Sequence, residues 1–374
     1  MSGQVPVRHR WGLALALGVA AALLVEARHG EAAQAGAPGP CAIQTPERIV
    51  AVGDVHGAYD RFVAILRAAA LVDNRARWNG GRAILVQTGD VLDRGPDSRR
   101  VLDLLRRLER EAARAGGRVY PLLGNHEVMR MVSDWRYVSP EETAAFRTGD
   151  SADLRDQVYA AVAANVAKRA AEDKQPHDER AFREQFLKDI PLGFIEMRQA
   201  FGPAGDYGEW LRERPAVVTI NGIVFVHGGI DAATAALGCA AINAAVRRDL
   251  DVIDPTPQQM LAMFSSSENG PLWYRGLAED PEPGAAPPPV ESILQTIGAR
   301  AIVIGHTVAR GFRIATRFDG RVIQIDTGML SGTSYPGGVA SALEIRGDTL
   351  TAIYESGRER LGAVPPAPVP AAAP

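Results

Sequence analysis

Gly53-Asp54-Val55-His56-Gly57 is the stretch on which the fold turns. Before it runs Arg48-Ile49-Val50-Ala51-Val52, apolar and rich in β-branched residues, which reads as a short buried strand. A glycine ends that strand, and a carboxylate and an imidazole follow two residues apart. Glycines on both sides let Asp54 and His56 aim into one small volume. An oxygen ligand beside a nitrogen ligand suits Zn, Mn or Fe better than Ca or Mg. Alone, Asp-x-His reads equally well as a turn aspartate beside a surface histidine.

The same grammar recurs four more times. Residues 82–88 run into Gly89-Asp90-Val91-Leu92-Asp93-Arg94-Gly95, and residues 119–123 into Gly124-Asn125-His126-Glu127. Ile223-Val224-Phe225-Val226 leads to His227-Gly228-Gly229, and Ala301-Ile302-Val303-Ile304 to Gly305-His306. Each apolar strand delivers a metal-competent side chain at its carboxyl end, where α/β sheets place their sites. Five repeats of one format point to convergence rather than to five unrelated turns.

The chain has 374 residues, 46% hydrophobic and 23% charged, a normal globular balance with room for a real core. A net charge of −3 gives no support for a nucleic-acid surface. Arg8, His9 and Arg10 precede an apolar run over residues 11–25, and Ala33-Gln34-Ala35 follows as a cleavage signal. Residues 1–35 therefore read as a signal peptide, making the protein periplasmic or secreted with no stable membrane anchor after cleavage. Residues 36–47 read as a linker. Cys41 and Cys239 are either a disulfide tying that linker to the body or two free thiols.

Residues 59–71 have helical spacing, with Phe62, Ile65 and Leu66 on one face. Asp97 or Ser98 can cap a second helix that ends at Gly116-Gly117. Strand, helix, strand, helix, strand up to Leu123 is a βαβ rhythm. After Glu127 the rhythm stops, and residues 131–214 read as a helical insertion over one side of the site. Asn221-Gly222 between two apolar runs is a hairpin turn whose second arm delivers His227. The domain then runs over residues 48–355, with an exposed loop at residues 280–290 and a disordered Pro/Ala tail at residues 356–374.

Asp54, His56, Asp90, Asn125, His227 and His306 are too many ligands for one open catalytic ion but suit two ions sharing Asp90 as a bridge. Such a pair, roughly 3.5–4 Å apart, clamps a phosphoryl group and activates a water for in-line attack. His126 follows a ligand directly and can protonate the leaving oxygen, with Asp93 orienting it. Arg94 offers a planar fork to phosphate oxygens; the plainer reading is a surface ion pair at a helix start.

Together, Gly-Asp-x-His-Gly, Gly-Asp-x-x-Asp-Arg-Gly, Gly-Asn-His-Glu, His-Gly and Gly-His resemble the calcineurin-like metallophosphoesterases. Asp93-Arg94-Gly95 is similar to the phosphoprotein phosphatase branch. The signal peptide, the long insertion and Ile325-Asp326-Thr327-Gly328-Met329 are similar to its bacterial Shewanella-like members. The resemblance covers about residues 48–345. It implies an α+β fold, a β-sandwich flanked by helices in αββα layers, with two Mn, Fe or Zn ions. It also implies a second phosphate-binding arginine between the late histidines, for which Arg275 is preferred to Arg310. Met329-Leu330-Ser331-Gly332-Thr333-Ser334-Tyr335 stands where the eukaryotic branch has Ser-Ala-Pro-Asn-Tyr, so the leaving-group pocket differs. The expected activity is hydrolysis of a phosphorylated protein or a small phosphate ester, with phosphotyrosine and phosphoserine/threonine both open. The alternatives are a dinucleoside polyphosphate or nucleotide hydrolase, and a non-catalytic metal- or phosphate-binding module.

Overall fold

A computed structural model describes residues 41–368, apart from 280, 282–287 and 333. The expected signal peptide, the linker before Cys41, most of the 280–290 loop and the tail beyond residue 368 lie outside the described residues. Residues 143–199 form one compact unit, and residues 37–142 and 200–374 form a larger one.

The larger unit opens with β1 (Ala42–Ile43) and β2 (Ile49–Val52), then α1 (Tyr59–Ala68), β3 (Ile84–Gln87), α2 (Ser98–Arg114), β4 (Arg118–Pro121) and α3 (Asn125–Met131). α4 (Pro140–Ala144) leads into α5 (Ser151–Glu172), α6 (Glu179–Asp189), α7 (Phe194–Phe201) and α8 (Asp206–Arg212). The hairpin β5 (Val217–Ile220) and β6 (Ile223–Val226) precedes α9 (Ala232–Asp249), α10 (Pro257–Ala262), α11 (Val290–Ile297) and β7 (Ala301–Ile304). β8 (Ala315–Arg317), β9 (Val322–Gln324), β10 (Ser341–Arg346), β11 (Thr349–Tyr354) and β12 (Gly357–Ala363) close the chain.

The strands make two six-stranded sheets, ordered β1-β5-β6-β7-β9-β8 and β12-β11-β10-β2-β3-β4. Period-2 alternation explains why they stack. Ile49 and Ala51 of β2, Leu343 and Ile345 of β10 and Ala352 of β11 from one sheet share a core with Ile223, Phe225, Ala301 and Val303 of β6 and β7 from the other. Val224, Val226, Ile302 and Ile304 turn the opposite way, onto Ala235 and Ile242 of α9 and Ile293 and Leu294 of α11. Strands buried on both faces account for the unbroken apolar runs. Each fully buried aliphatic side chain contributes about 1.5–3 kcal/mol. This is the α+β sandwich with flanking helices that the motifs imply.

Register explains why the motifs meet. β2, β3 and β4 are parallel with Val52 level with Gln87 and Gln87 with Pro121. β6, β7 and β9 are parallel with Val226 level with Ile304 and Ile304 with Gln324. All six carboxyl ends therefore finish at corresponding levels within their sheets. Asn221 (φ 53°) and Gly222 (φ 74°) form the expected hairpin turn, and its register ends β6 at Val226, immediately before His227.

Three boundaries need correction. The linker expected at residues 36–47 contains β1, which pairs in parallel with β5, and Cys41 is disulfide-bonded to Cys239 of α9 with Cα atoms 6.1 Å apart. The tail expected at residues 356–374 begins as strand β12, and Val364 is buried. Gly357-Arg358-Glu359-Arg360 lacks alternation because an edge strand presents charges to solvent. The separately compact helical unit spans residues 143–199 rather than 131–214; α8 belongs to the larger unit. Within the helical unit, Tyr159 of α5 packs on Phe182 and Phe186 of α6.

Candidate active site

Glycines let the strand ends close on one another. A Cβ on Gly89 (φ 98°) would sit 2.4 Å from the Gly124 nitrogen, and one on Gly305 would sit 2.6 Å from Asp54 Oδ1. His56, Asp90, Asp93, Arg94 and His306 all adopt left-handed backbone, with φ between 46° and 68°. Strain of this kind persists only where neighbours enforce it. Here Asp90 O accepts from the N–H of Val55 (2.9 Å) and His56 (3.0 Å). The buried Glu127 carboxylate accepts from the N–H of Asp90, Val91, Leu92 and Gly124 at 2.8–3.3 Å. Asp54 Oδ1 accepts from the His306 N–H, and Asp90 Oδ1 from the His126 N–H, both at 3.0 Å.

The imidazoles converge on Asp90. Its Oδ2 lies 3.2 Å from His227 Nε2, 3.7 Å from His56 Nε2 and 3.8 Å from His126 Nε2. His56 Nδ1 donates to Leu92 O (2.8 Å) and His227 Nδ1 to Thr88 O (3.0 Å). Carbonyl acceptors at Nδ1 leave the Nε2 lone pair facing the cluster, as metal-ligating histidines require. Asn125 Oδ1 is 2.9 Å from His227 Nε2, and the His227 and His306 rings are 4.9 Å apart. His306 Nε2 is buried without a hydrogen-bond partner among the described residues. His56, Asp90 and His126 form one grouping able to hold an ion, and Asp90, His227 and His306 another.

The electrostatics fit cations. Burial, then the Asp326 carboxylate, pushes Asp54 well above its ordinary value. Asp326 is itself raised to about 6, mainly by burial. Burial would also raise Asp90, but His227, His126 and His56 outweigh it and hold that carboxylate well below its ordinary range. Burial opposes charging His227, yet Asp90 and Asp54 lift it to about 9. Burial drives His56 down to about 3 and His306 to about 2. Crowded buried carboxylates beside the neutral imidazoles of His56 and His306, with positive charge favoured at His227, make a site that attracts a cation.

The match to known proteins follows this geometry. Residues 47–310 match the family described as calcineurin-like phosphoesterase. The chain belongs to the calcineurin-like phosphoesterases. This phosphoesterase is 30% identical over 326 residues to Shewanella-like protein phosphatase 2 of Arabidopsis thaliana, covering 84% of its own chain and 78% of that protein. To Shewanella-like protein phosphatase 1 of Plasmodium berghei it is 26% identical, covering 77% and 68%. It superposes on the cold-active protein-tyrosine phosphatase of a psychrophile Shewanella sp. with a TM-score of 0.63 at 26% identity, covering 86% and 82%. The phosphoesterase is a metal-dependent hydrolase.

Beside the phosphoesterase's cluster, His126 Nδ1 is 2.6 Å from Asp93 Oδ2. Arg130 Nη2 donates to Asp93 Oδ1 (2.5 Å) and to Glu142 Oε1 (3.0 Å), while Glu142 Oε1 also accepts the Asp93 N–H. Burial would raise Asp93, but Arg130 and His126 outweigh it and keep the carboxylate ionised. Arg94 lies between the rings of Tyr137 (5.4 Å) and Tyr335 (5.8 Å). It donates to Tyr335 Oη (2.9 Å) and contacts His56 Nε2. Arg275 is exposed at the His306 edge and donates to Thr307 Oγ1 (2.9 Å).

Every candidate side chain thus lies in or beside one cluster. Sequence reading missed Asp326, Arg130 and Glu142. For Asp326 a signal existed, since residues 322–325 deliver an acid at a strand end in the same grammar. Ser139 and Glu142 form a local helix start, each accepting the other's N–H (3.0 and 3.2 Å), and that local pattern masks Glu142's longer-range role.

Proposed function

We propose that this phosphoesterase is a two-metal phosphomonoesterase acting on phosphorylated protein side chains outside the cytoplasm. The observation that carries the reading is Asp90 Oδ2, which faces the Nε2 atoms of three imidazoles at once. Asp54, His56 and Asp90 would hold one ion; Asp90, Asn125, His227 and His306 would hold the other. Mn, Fe or Zn bound there would supply Lewis acidity toward phosphoryl oxygens and lower the pKa of a coordinated water.

The chain's own residues perform the remaining tasks. His126, with Nδ1 committed to Asp93, keeps Nε2 to protonate the leaving oxygen. Asp93, held ionised by Arg130, fixes the ring and stabilises the imidazolium. Arg94 grips phosphate oxygens with its planar fork, after its guanidinium leaves His56 Nε2 so that this nitrogen can ligate. Arg275 approaches the phosphate from the His306 side. The Cys41–Cys239 disulfide favours an oxidising compartment and so supports export through cleavage of residues 1–35. Among the described residues no helix is long and apolar enough to cross a membrane.

One preparation loaded with Mn tests the substrate class against a phosphotyrosine peptide, a phosphoserine peptide and diadenosine tetraphosphate. Metal-dependent release of phosphate from a phosphopeptide is expected, with kcat/KM at least about tenfold above that for the dinucleotide. The reverse order would replace this reading with a nucleotide hydrolase.

A further inference from the structure

Asp326 is a buried acid with no part in the proton transfer or the phosphate grip described above. It follows strand β9 as Asp54 follows β2, and the two strand ends are pressed together. A Cβ on Gly53 would sit 2.7 Å from Ile325 O and 3.1 Å from Asp326 Cα. The Asp326 carbonyl accepts the Ala309 N–H (2.9 Å), so the same residue anchors the loop that carries His306. Only 1% of Asp326 is exposed.

Its carboxylate is half satisfied. Oδ1 accepts the Gly328 N–H (2.9 Å) and shapes the turn there. Oδ2 is buried with no hydrogen-bond partner among the described residues. The group stands against the Asp54 carboxylate, close enough for a proton to bridge the two. Its positive neighbour, His227, is already claimed by Asp90 and Asp54. Asp54 reaches His56 Nε2 (3.8 Å) and His227 Nδ1 (4.0 Å), whereas among the described residues no imidazole nitrogen comes as near to Asp326. Asp326 therefore stands behind Asp54, on the side away from the imidazoles.

Two buried carboxylates in contact, one with an orphaned oxygen, are destabilising unless a cation offsets them. The turn at Gly328 needs neither the charge nor the second oxygen, since an asparagine would serve it as well. The charge does have an effect on an ion. Affinity for a cation rises with the number of carboxylate charges around it, and groups behind the ligands fix their orientation.

Resting on the two-metal reading above, we propose that Asp326 is a positioning residue of the Asp54–His56 ion site. It aims the Asp54 carboxylate at the ion and adds a third negative charge to those of Asp54 and Asp90, which tightens the site's hold on a multiply charged cation. The same charge destabilises the fold when the site is empty.

The full chain is stripped with a chelator and titrated with Mn, as wild type, Asp326→Asn and Asp326→Ala, reading the number of ions and their dissociation constants. Asparagine keeps an acceptor for the Gly328 N–H and loses the charge. Wild type should bind two ions. Both variants should hold one ion as tightly as wild type and the other about 10–100-fold more weakly. Without metal, Asp326→Asn should melt about 2–4 °C above wild type, because an amide can donate to Asp54 where a carboxylate repels it. A residue needed only for the turn would leave the Asn variant with wild-type metal affinity, and that result would overturn the proposal. So would a metal-free Asn variant that melts below wild type. Wild type taking up fewer than two ions would instead remove the two-metal reading beneath it.

Discussion

Asp90→Asn is expected to abolish both metal loading and turnover. The substitution keeps the shape and removes one charge from the carboxylate on which His56, His126 and His227 converge. A neutral amide oxygen is a far weaker donor to a cation than the carboxylate Oδ2 that faces both ligand groupings. Metal content should drop from two ions per chain to one or fewer, and kcat/KM by about 10³ or more, since several kcal/mol of transition-state stabilisation depend on the ions. Elemental analysis beside steady-state kinetics checks this. A variant holding two ions and retaining a tenth of the activity would show that Asp90 is not the bridge.

His126→Asn should give the opposite pattern, with metal retained and catalysis lost. Its ring belongs to the His56–Asp90 grouping, so geometry alone also permits a ligand role. A ligating histidine and a general acid both place Nδ1 on a carboxylate, as His126 does on Asp93. Two readouts separate them. As general acid, the variant keeps two ions and loses about 10²–10⁴ in kcat on alkyl phosphates. On p-nitrophenyl phosphate, whose leaving group needs no proton, the loss should be smaller. Wild-type rates on alkyl phosphates would exclude the acid role, and loss of an ion would make His126 a ligand.

Much of the site was legible because its grammar is local. A β-branched run followed by glycine and a ligand identifies a strand end wherever it occurs, and parallel pairing brings such ends level. The Asn221-Gly222 hairpin was equally local. What escaped is long-range. The disulfide joins residues 198 apart, and only that bond and pairing with β5 make Ala42–Ile43 a strand. β12 has the composition of a solvated edge, held by β11 rather than by its own apolar pattern. Arg130 looks like one more charge on a helix; folding buries it between Asp93 and Glu142, with the Phe201 ring 5.0 Å away. The boundaries of the helical unit blurred because α8 shares the helical, charged composition of the segment before it.

Anomalous diffraction from Mn-loaded crystals is the most direct measurement of the central claim. The account predicts two peaks roughly 3.5–4 Å apart with Asp90 coordinating both, His56 on one ion and His227 on the other. A single peak, or two peaks neither of which touches Asp90, would contradict it.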